Sequence, residues 1–266
     1  MAARPSPPVV MIHGAFCGAW AFENFQKVFR SRHAVHLPTL RYHDCGSEPP
    51  RELGRTGLLD YAADLEALVD GLRETPILIG HSMGGLLAQM LAARGKARAC
   101  VLLAPSAPWG VMPSTMFELA SAQTLFLTGG DYRGSIIRPS YGIAAAHSLD
   151  RLDADSRSAV YSRFVPESGQ ATFEIISWPF DPRRASLVRA RDVTCPVLCL
   201  AGSEDKINPP STVARVAARY GAKGLFEELP GHSHWLIGEP GWEDIAARAA
   251  GWLEEVLVDE FAAKTG

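Results

Sequence analysis

The chain has 266 residues, 47% of them apolar, with 26 Lys and Arg against 29 Asp and Glu for a formal net charge of −3. That is enough apolar material for one large α/β domain or two ordinary ones, and too little positive charge for a nucleic-acid footprint or a polybasic membrane patch. No apolar run approaches the roughly 18 to 20 residues that span a bilayer, and "MAARPSPP" does not read as a signal peptide, because no apolar h-region accompanies its single arginine. In chain order, "PVVMIHG" (8–14) reads as a buried strand and "AWAFENFQKVFR" (19–30) as a helix. "HAVHLP" (33–38) is the next strand, and "LLDYAADLEALVDGL" (58–72) a helix whose apolar residues recur in steps of three and four. "PILIGHS" (76–82) is a strand and "MGGLLAQMLAAR" (83–94) a helix that Gly95 can close. "ACVLLAP" (99–105) is a further strand.

From about Pro108 to Arg191 the alternation stops. Helix-like pieces such as "STMFELASAQTLFL" (114–127) and "DADSRSAVYSRFV" (153–165) follow one another there, joined by turns with Gly and Pro. The rhythm resumes with strand 195–202, helix 209–221, strand 224–231 and helix 242–257. Apolar strands separated by helices indicate a mostly parallel, doubly wound sheet covered on both faces. The chain therefore divides into 1–107 and 192–266, forming the core, and an insertion, 108–191, expected to fold over one end of the sheet as a lid.

Gly80-His81-Ser82-Met83-Gly84 matches G-x-S-x-G, with a strand before it and a helix after it. Such a turn holds a serine hydroxyl exposed at the strand's carboxyl edge, where the helix N-terminus favours a developing negative charge. A serine is a weak nucleophile and needs a base, itself oriented by an acid. After strand 195–202 the stretch "AGSEDKINPP" offers Glu204 and Asp205, and after strand 224–231 "LPGHSHWLIGEPGW" offers His232 and His234. Both stretches lie where the carboxyl ends of parallel strands converge.

"HGAFCGAW", "GHSMGG", "AGSEDKINPP" and "GHSHWLIGEPGW", in that order, resemble the serine-hydrolase, carboxylesterase-like branch of the α/β-hydrolase superfamily. The resemblance covers nearly the whole chain outside the insertion. It implies a helical cap after the sixth-strand position of that fold, and a compact variant in which no N-terminal hairpin is expected before the first parallel strand. It implies Ser82 as nucleophile, Asp205, three residues after Gly202, as acid, and His234, five before Glu239 and six before Pro240, as base. His232, directly after Gly231, matches the commoner "GH" form and stays an alternative. The N–H groups of Ala15 and Met83 are implied as the oxyanion hole, each worth about 3 kcal/mol, or roughly a hundredfold in rate. Phe16, Trp20, Trp109 and Trp178 are candidates for the substrate pocket. The "xxGAW" continuation resembles plant-type carboxylesterases and hydroxynitrile lyases.

The implied activity is hydrolysis of carboxylic esters of small to medium hydrophobic substrates, with no cofactor. The alternatives are carbon–carbon bond hydrolysis on the same fold, or a slow-turnover receptor for a small molecule. Haloalkane dehalogenases and epoxide hydrolases are set aside because their elbow carries aspartate where this chain has Ser82. His81 and His13 read as neighbours that hydrogen-bond the turn and the first loop, and Asp181 as a weaker candidate acid. The five cysteines, odd in number and scattered, read as reduced thiols of a cytoplasmic protein. Cys195 and Cys199 would stand roughly 13 Å apart at about 3.3 Å per residue along a strand, so no metal site is expected.

Overall fold

Four strands of the main sheet have every residue buried: β1 (Val9–Ile12), β3 (Ile77–His81), β4 (Ala99–Leu103) and β7 (Val197–Gly202). Strands apolar on both faces must lie inside a sheet covered on both sides, and these are the central four. The half-exposed strands β2 (Val35–His36) and β8 (Gly224–Leu229) form the edges of the parallel order β2-β1-β3-β4-β7-β8. The computed structural model describes residues 6–115 and 132–265, with side chains as far as Val258.

Alternate residues along each strand feed two separate cores. Val10, Ile12, Leu78, Leu102, Val197 and Cys199 face α2 (Leu58–Asp70), α3 (Met83–Ala92) and α7 (Pro210–Ala218). Val9, Met11, Ile77, Ile79, Val101 and Leu200 face the phenylalanines of the 19–29 segment and the long C-terminal helix α8 (Trp242–Thr265). The expected doubly wound, mostly parallel α/β fold is thus observed. In α2 the buried stripe is Leu58, Tyr61, Ala62, Leu65 and Val69, spaced as a helix requires. Gly95, at φ +73°, ends α3: its N–H reaches the Ala92 carbonyl at 3.0 Å and that of Lys96 reaches Leu91 at 3.0 Å.

Some elements differ from expectation. The helix foreseen over 19–30 is a 3₁₀ turn, Ala19–Phe22, followed by one turn of α-helix, α1 (Gln26–Phe29). Its three phenylalanines pack on one another, with ring centroids 6.0 Å apart for Phe22 and Phe25 and 5.8 Å for Phe25 and Phe29, so tertiary packing sets its path. The strand foreseen over 33–38 shrinks to two residues at an edge.

Between β4 and β7 the chain forms α4 (Tyr141–His147), α5 (Ala154–Tyr161) and α6 (Gly169–Ile176). It also forms an unforeseen antiparallel pair, β5 (Ile136–Ile137) with β6 (Glu167–Ser168), each strand too short for an alternation signal. The helix-like piece 114–127 lies outside the described residues from 116 onward.

The chain runs from β1 outward to β2, then returns to the other side of β1 as β3. The loops leaving β1 and β3 therefore meet at the point where strand order reverses, the usual crevice of open α/β sheets. That approach admits no side chain: a Cβ on Gly84 would stand 2.0 Å from the Ile12 carbonyl oxygen, and one on Gly80 2.3 Å from the Gly84 oxygen. Backbone cannot yield as a flexible side chain does, so we expect Gly84→Ala to lower stability by at least about 3 kcal/mol. Gly95→Ala, at a positive φ but with nothing within 4 Å, should cost only about 1 kcal/mol. Urea unfolding midpoints of the two variants check this order.

Candidate active site

Ser82 joins β3 to α3 with φ 53° and ψ −120°, a conformation that costs a non-glycine residue about 1 to 3 kcal/mol. The turn is held from several sides. The Ser82 N–H donates to the Leu103 carbonyl at 3.0 Å, and the Ser82 carbonyl accepts from Gly85 and Ser106, both at 2.9 Å. Phe16 (φ 62°) and Ala104 (φ 44°) share the positive-φ region, so the ends of three adjacent strands, β1, β3 and β4, carry strained residues side by side. A Cβ on Gly14 would lie 3.0 Å from that of Ser82, which brings the loop after β1 against the serine.

Asp205 follows β7 and is buried. Its Oδ1 accepts from the N–H groups of Ile207 (2.8 Å) and Asn208 (3.0 Å), and its Oδ2 from His234 Nδ1 at 2.9 Å. Two backbone donors and the imidazole together fix the orientation of the carboxylate. With Nδ1 donating to Asp205, the neutral His234 ring has Nε2 as its acceptor nitrogen. Asn208 adds a tie to the neighbouring strand end, its Nδ2 donating to the Ala104 carbonyl at 2.8 Å. His232 is turned elsewhere: its Nδ1 meets Glu239 Oε1 at 2.7 Å, and the Ser233 N–H meets the same oxygen at 3.0 Å. Burial raises the Glu239 carboxyl above its usual range. Asp181 is spent on its own turn, accepting from the N–H groups of Arg183 (3.0 Å) and Ala185 (2.6 Å).

The N–H groups of Ala15 and Met83 have no acceptor among the described residues. Met83 opens α3, where unpaired N–H groups and the helix dipole favour an anion. Trp20 packs on Trp235 and Phe164, at centroid separations of 6.0 and 6.1 Å, beside the His234 loop. Trp109 and Trp178 form a pair of their own, 5.1 Å apart, with the Arg184 guanidinium 4.5 Å from the Trp109 ring. Of the pocket candidates, Phe16 and Trp20 belong to the segment after β1, while Trp109 and Trp178 belong to the β4–β7 connection.

Two further histidines brace the site. His81 Nε2 donates to the His234 carbonyl at 2.8 Å, joining the serine's strand to the loop of the candidate base. Burial, with the neighbouring His234, lowers the His81 pKa to about 3. His13 accepts from the Leu40 N–H at 3.0 Å and donates through Nδ1 to the Gly14 carbonyl at 2.8 Å. Burial, then His43, lowers its pKa to about 3 as well. Sequence reasoning missed His43, Glu167, Asn208 and Trp235. Asn208 and Trp235 stood inside the quoted motifs, but the partner of His43 is Glu167, far along the chain, at 3.0 Å. No spacing rule points there.

A sequence model described as the alpha/beta hydrolase family matches residues 9–248. The chain belongs to the alpha/beta hydrolase family. No curated protein sequence matches it. Among solved structures, a monoacylglycerol lipase from Paleococcus ferrophilus is 21% identical with a TM-score of 0.65, over 93% of this chain and 95% of that one. A methylesterase from Arabidopsis is 15% identical with a TM-score of 0.68, over 94% and 99%. A tomato methylketone synthase complexed with 2-tridecanone is 17% identical with a TM-score of 0.69, over 94% and 99%. At such identities the likeness speaks for the shared hydrolase fold alone.

His13 and His81 stay neutral in the fold until about pH 3, whereas in the unfolded chain each protonates near pH 6.5. Between those values the unfolded state binds more protons, so stability present above pH 6.5 is lost as the pH falls. Each residue adds up to about 1.4 kcal/mol per pH unit to that slope. We expect His81→Gln to take up about one proton fewer on unfolding at pH 5 than the wild type, as read from urea midpoints across pH 4.5 to 7. An unchanged slope would contradict the neutral, buried state of His81.

Proposed function

We propose that this protein is a serine hydrolase that cleaves carboxylic esters of small to medium hydrophobic substrates through an acyl-enzyme on Ser82. The observation that carries the reading is the His234 Nδ1 to Asp205 Oδ2 hydrogen bond, 2.9 Å, at the same sheet end as the strained Ser82 turn. In this account His234 Nε2 takes the Ser82 proton as the oxygen attacks the ester carbonyl. Asp205 keeps the imidazole in the tautomer that permits this and stabilises the cation that forms. The oxyanion rests on the N–H groups of Ala15 and Met83, donors that are fixed before the charge appears and so need no reorganisation. The imidazolium then protonates the departing alcohol. A water activated by the same nitrogen attacks the acyl-enzyme, and the carboxylic acid leaves with Ser82 restored.

The segment 108–191 would serve as the cap. The aromatic residues Phe16, Trp20, Trp109 and Trp178, drawn from both parts of the chain, favour an apolar acyl or alcohol group. No helix among the described residues is long and apolar enough to cross a membrane, and a small-molecule ester needs no such anchor.

The test is hydrolysis of p-nitrophenyl esters of rising acyl length by the wild type and three variants. Ser82→Ala and Asp205→Asn should each lose about a thousandfold or more in kcat. His232→Ala should stay within about threefold, because its ring is committed to Glu239. A His232→Ala variant as dead as Ser82→Ala would transfer the role of base. A wild type that turns over no ester of any length, yet binds one, would favour the receptor alternative.

A further inference from the structure

The loop that carries the Ala15 N–H is strained at its next residue, Phe16, at φ 62°. A phenylalanine does not hold that conformation unaided, and both polar groups of its backbone are tied to one short stretch, Val165 to Glu167, of the β4–β7 connection. The Val165 N–H donates to the Phe16 carbonyl at 2.9 Å, and the Phe16 N–H donates, at a long 3.4 Å, to Glu167 Oε2. Glu167 is fully buried and its carboxylate is saturated with donors. Oε1 accepts from the Tyr61 hydroxyl (2.9 Å) and from the Ser168 N–H (2.7 Å); Oε2 also accepts from His43 Nε2 at 3.0 Å.

His43 faces an acceptor with each ring nitrogen, Nδ1 toward the Arg41 carbonyl at 3.0 Å and Nε2 toward Glu167. Only the imidazolium donates from both nitrogens. Burial by itself would lower the His43 pKa, but Glu167 and two backbone carbonyls outweigh it, and the net shift is upward. Burial likewise opposes the Glu167 charge and is outweighed by His43 and the hydrogen bonds, so that carboxyl sits below its usual range. The strand itself is pinned, since Ser168 Oγ donates to the Thr56 carbonyl at 2.6 Å.

We propose that Glu167 is a positioning residue, whose carboxylate, paired with His43, holds the Phe16 N–H and thereby sets the aim of the Ala15 N–H at the oxyanion. The inference rests on the esterase reading and deepens it: the connection between β4 and β7 shapes the oxyanion hole itself as well as any pocket above it. Glu167→Gln keeps the shape but points an amide N–H₂ at donors on one side, and it removes the charge opposite His43.

The experiment compares wild type, Glu167→Gln and a destabilised control, Phe29→Leu, whose side chain is packed in the core beneath α8. It measures kcat and KM for p-nitrophenyl butyrate, inhibition by a trifluoromethyl ketone that mimics the tetrahedral intermediate, and Tm. Glu167→Gln should lower kcat about tenfold with KM within twofold, and weaken the ketone by the same factor. Phe29→Leu should lower Tm without moving kcat. The proposal fails if folded Glu167→Gln keeps kcat within twofold, or if its loss falls on KM alone.

Amide exchange at Phe16 in the wild type tests the tether where the variant does not fold. A protected Phe16 N–H supports it, and one exchanging at the rate of an open loop overturns it. A wild type that hydrolyses no ester would defeat the esterase reading, while the exchange measurement would still judge the tether.

Discussion

The structure depends on one close approach, that of the loop after β1 and the first turn of α3 over the end of the sheet. Carbonyl oxygens of Ile12 and His13 occupy the space that a side chain at position 84 would fill, at 2.0 and 2.5 Å from its Cβ. That contact forces glycine at the start of α3 and sets the loop that carries Ala15 against the turn at Ser82. The strain is sustained because the elements around it are locked: β3 pairs with β4 over its whole length and with β1 from Ile77 to Gly80, and the Ser82 carbonyl alone receives three N–H groups. A site built this way is stiff before any ligand arrives, which is what electrostatic stabilisation of a transition state requires.

Around that turn the histidines divide into different electrostatic states by position. His13 and His81 each have one ring nitrogen donating to a carbonyl and are kept neutral by burial. His43, whose ring centroid is 5.3 Å from that of His13, has a carboxylate partner and favours the cation. His234 has a carboxylate on one nitrogen only. His13, His43 and His81 thus tie loops together, while His234 Nδ1 is held by the acid that follows β7. Breaking the His43–Glu167 pair from either side would leave a buried charge unpaired, which is far more costly than the pair's net contribution to stability.

What was legible in the sequence was what local chemistry dictates. Apolar runs marked the central strands, because a parallel sheet buried on both faces tolerates little else. The glycines around Ser82 marked the turn, and the stretches after β7 and β8 marked an acid and a histidine that the fold brings to 2.9 Å. Legibility faded where structure depends on distant partners. Residues 19–30 read as one helix, yet packing of Phe22, Phe25 and Phe29 on one another and in the core beneath α8 breaks it into a 3₁₀ turn and a single α-helical turn. His43 has no local pattern, since Glu167 lies 124 residues away. The choice between His232 and His234 rested on spacing in the sequence; in the fold the first turns to Glu239 and the second to Asp205.

The central claim, that Ser82 is a nucleophile activated by His234, is tested most directly by covalent labelling with a fluorophosphonate, read as intact mass and mapped by peptide sequencing. The account predicts one adduct, on Ser82, formed rapidly by wild type and lost in His234→Ala. A folded wild type that stays unlabelled, or an adduct on any residue other than Ser82, would contradict it.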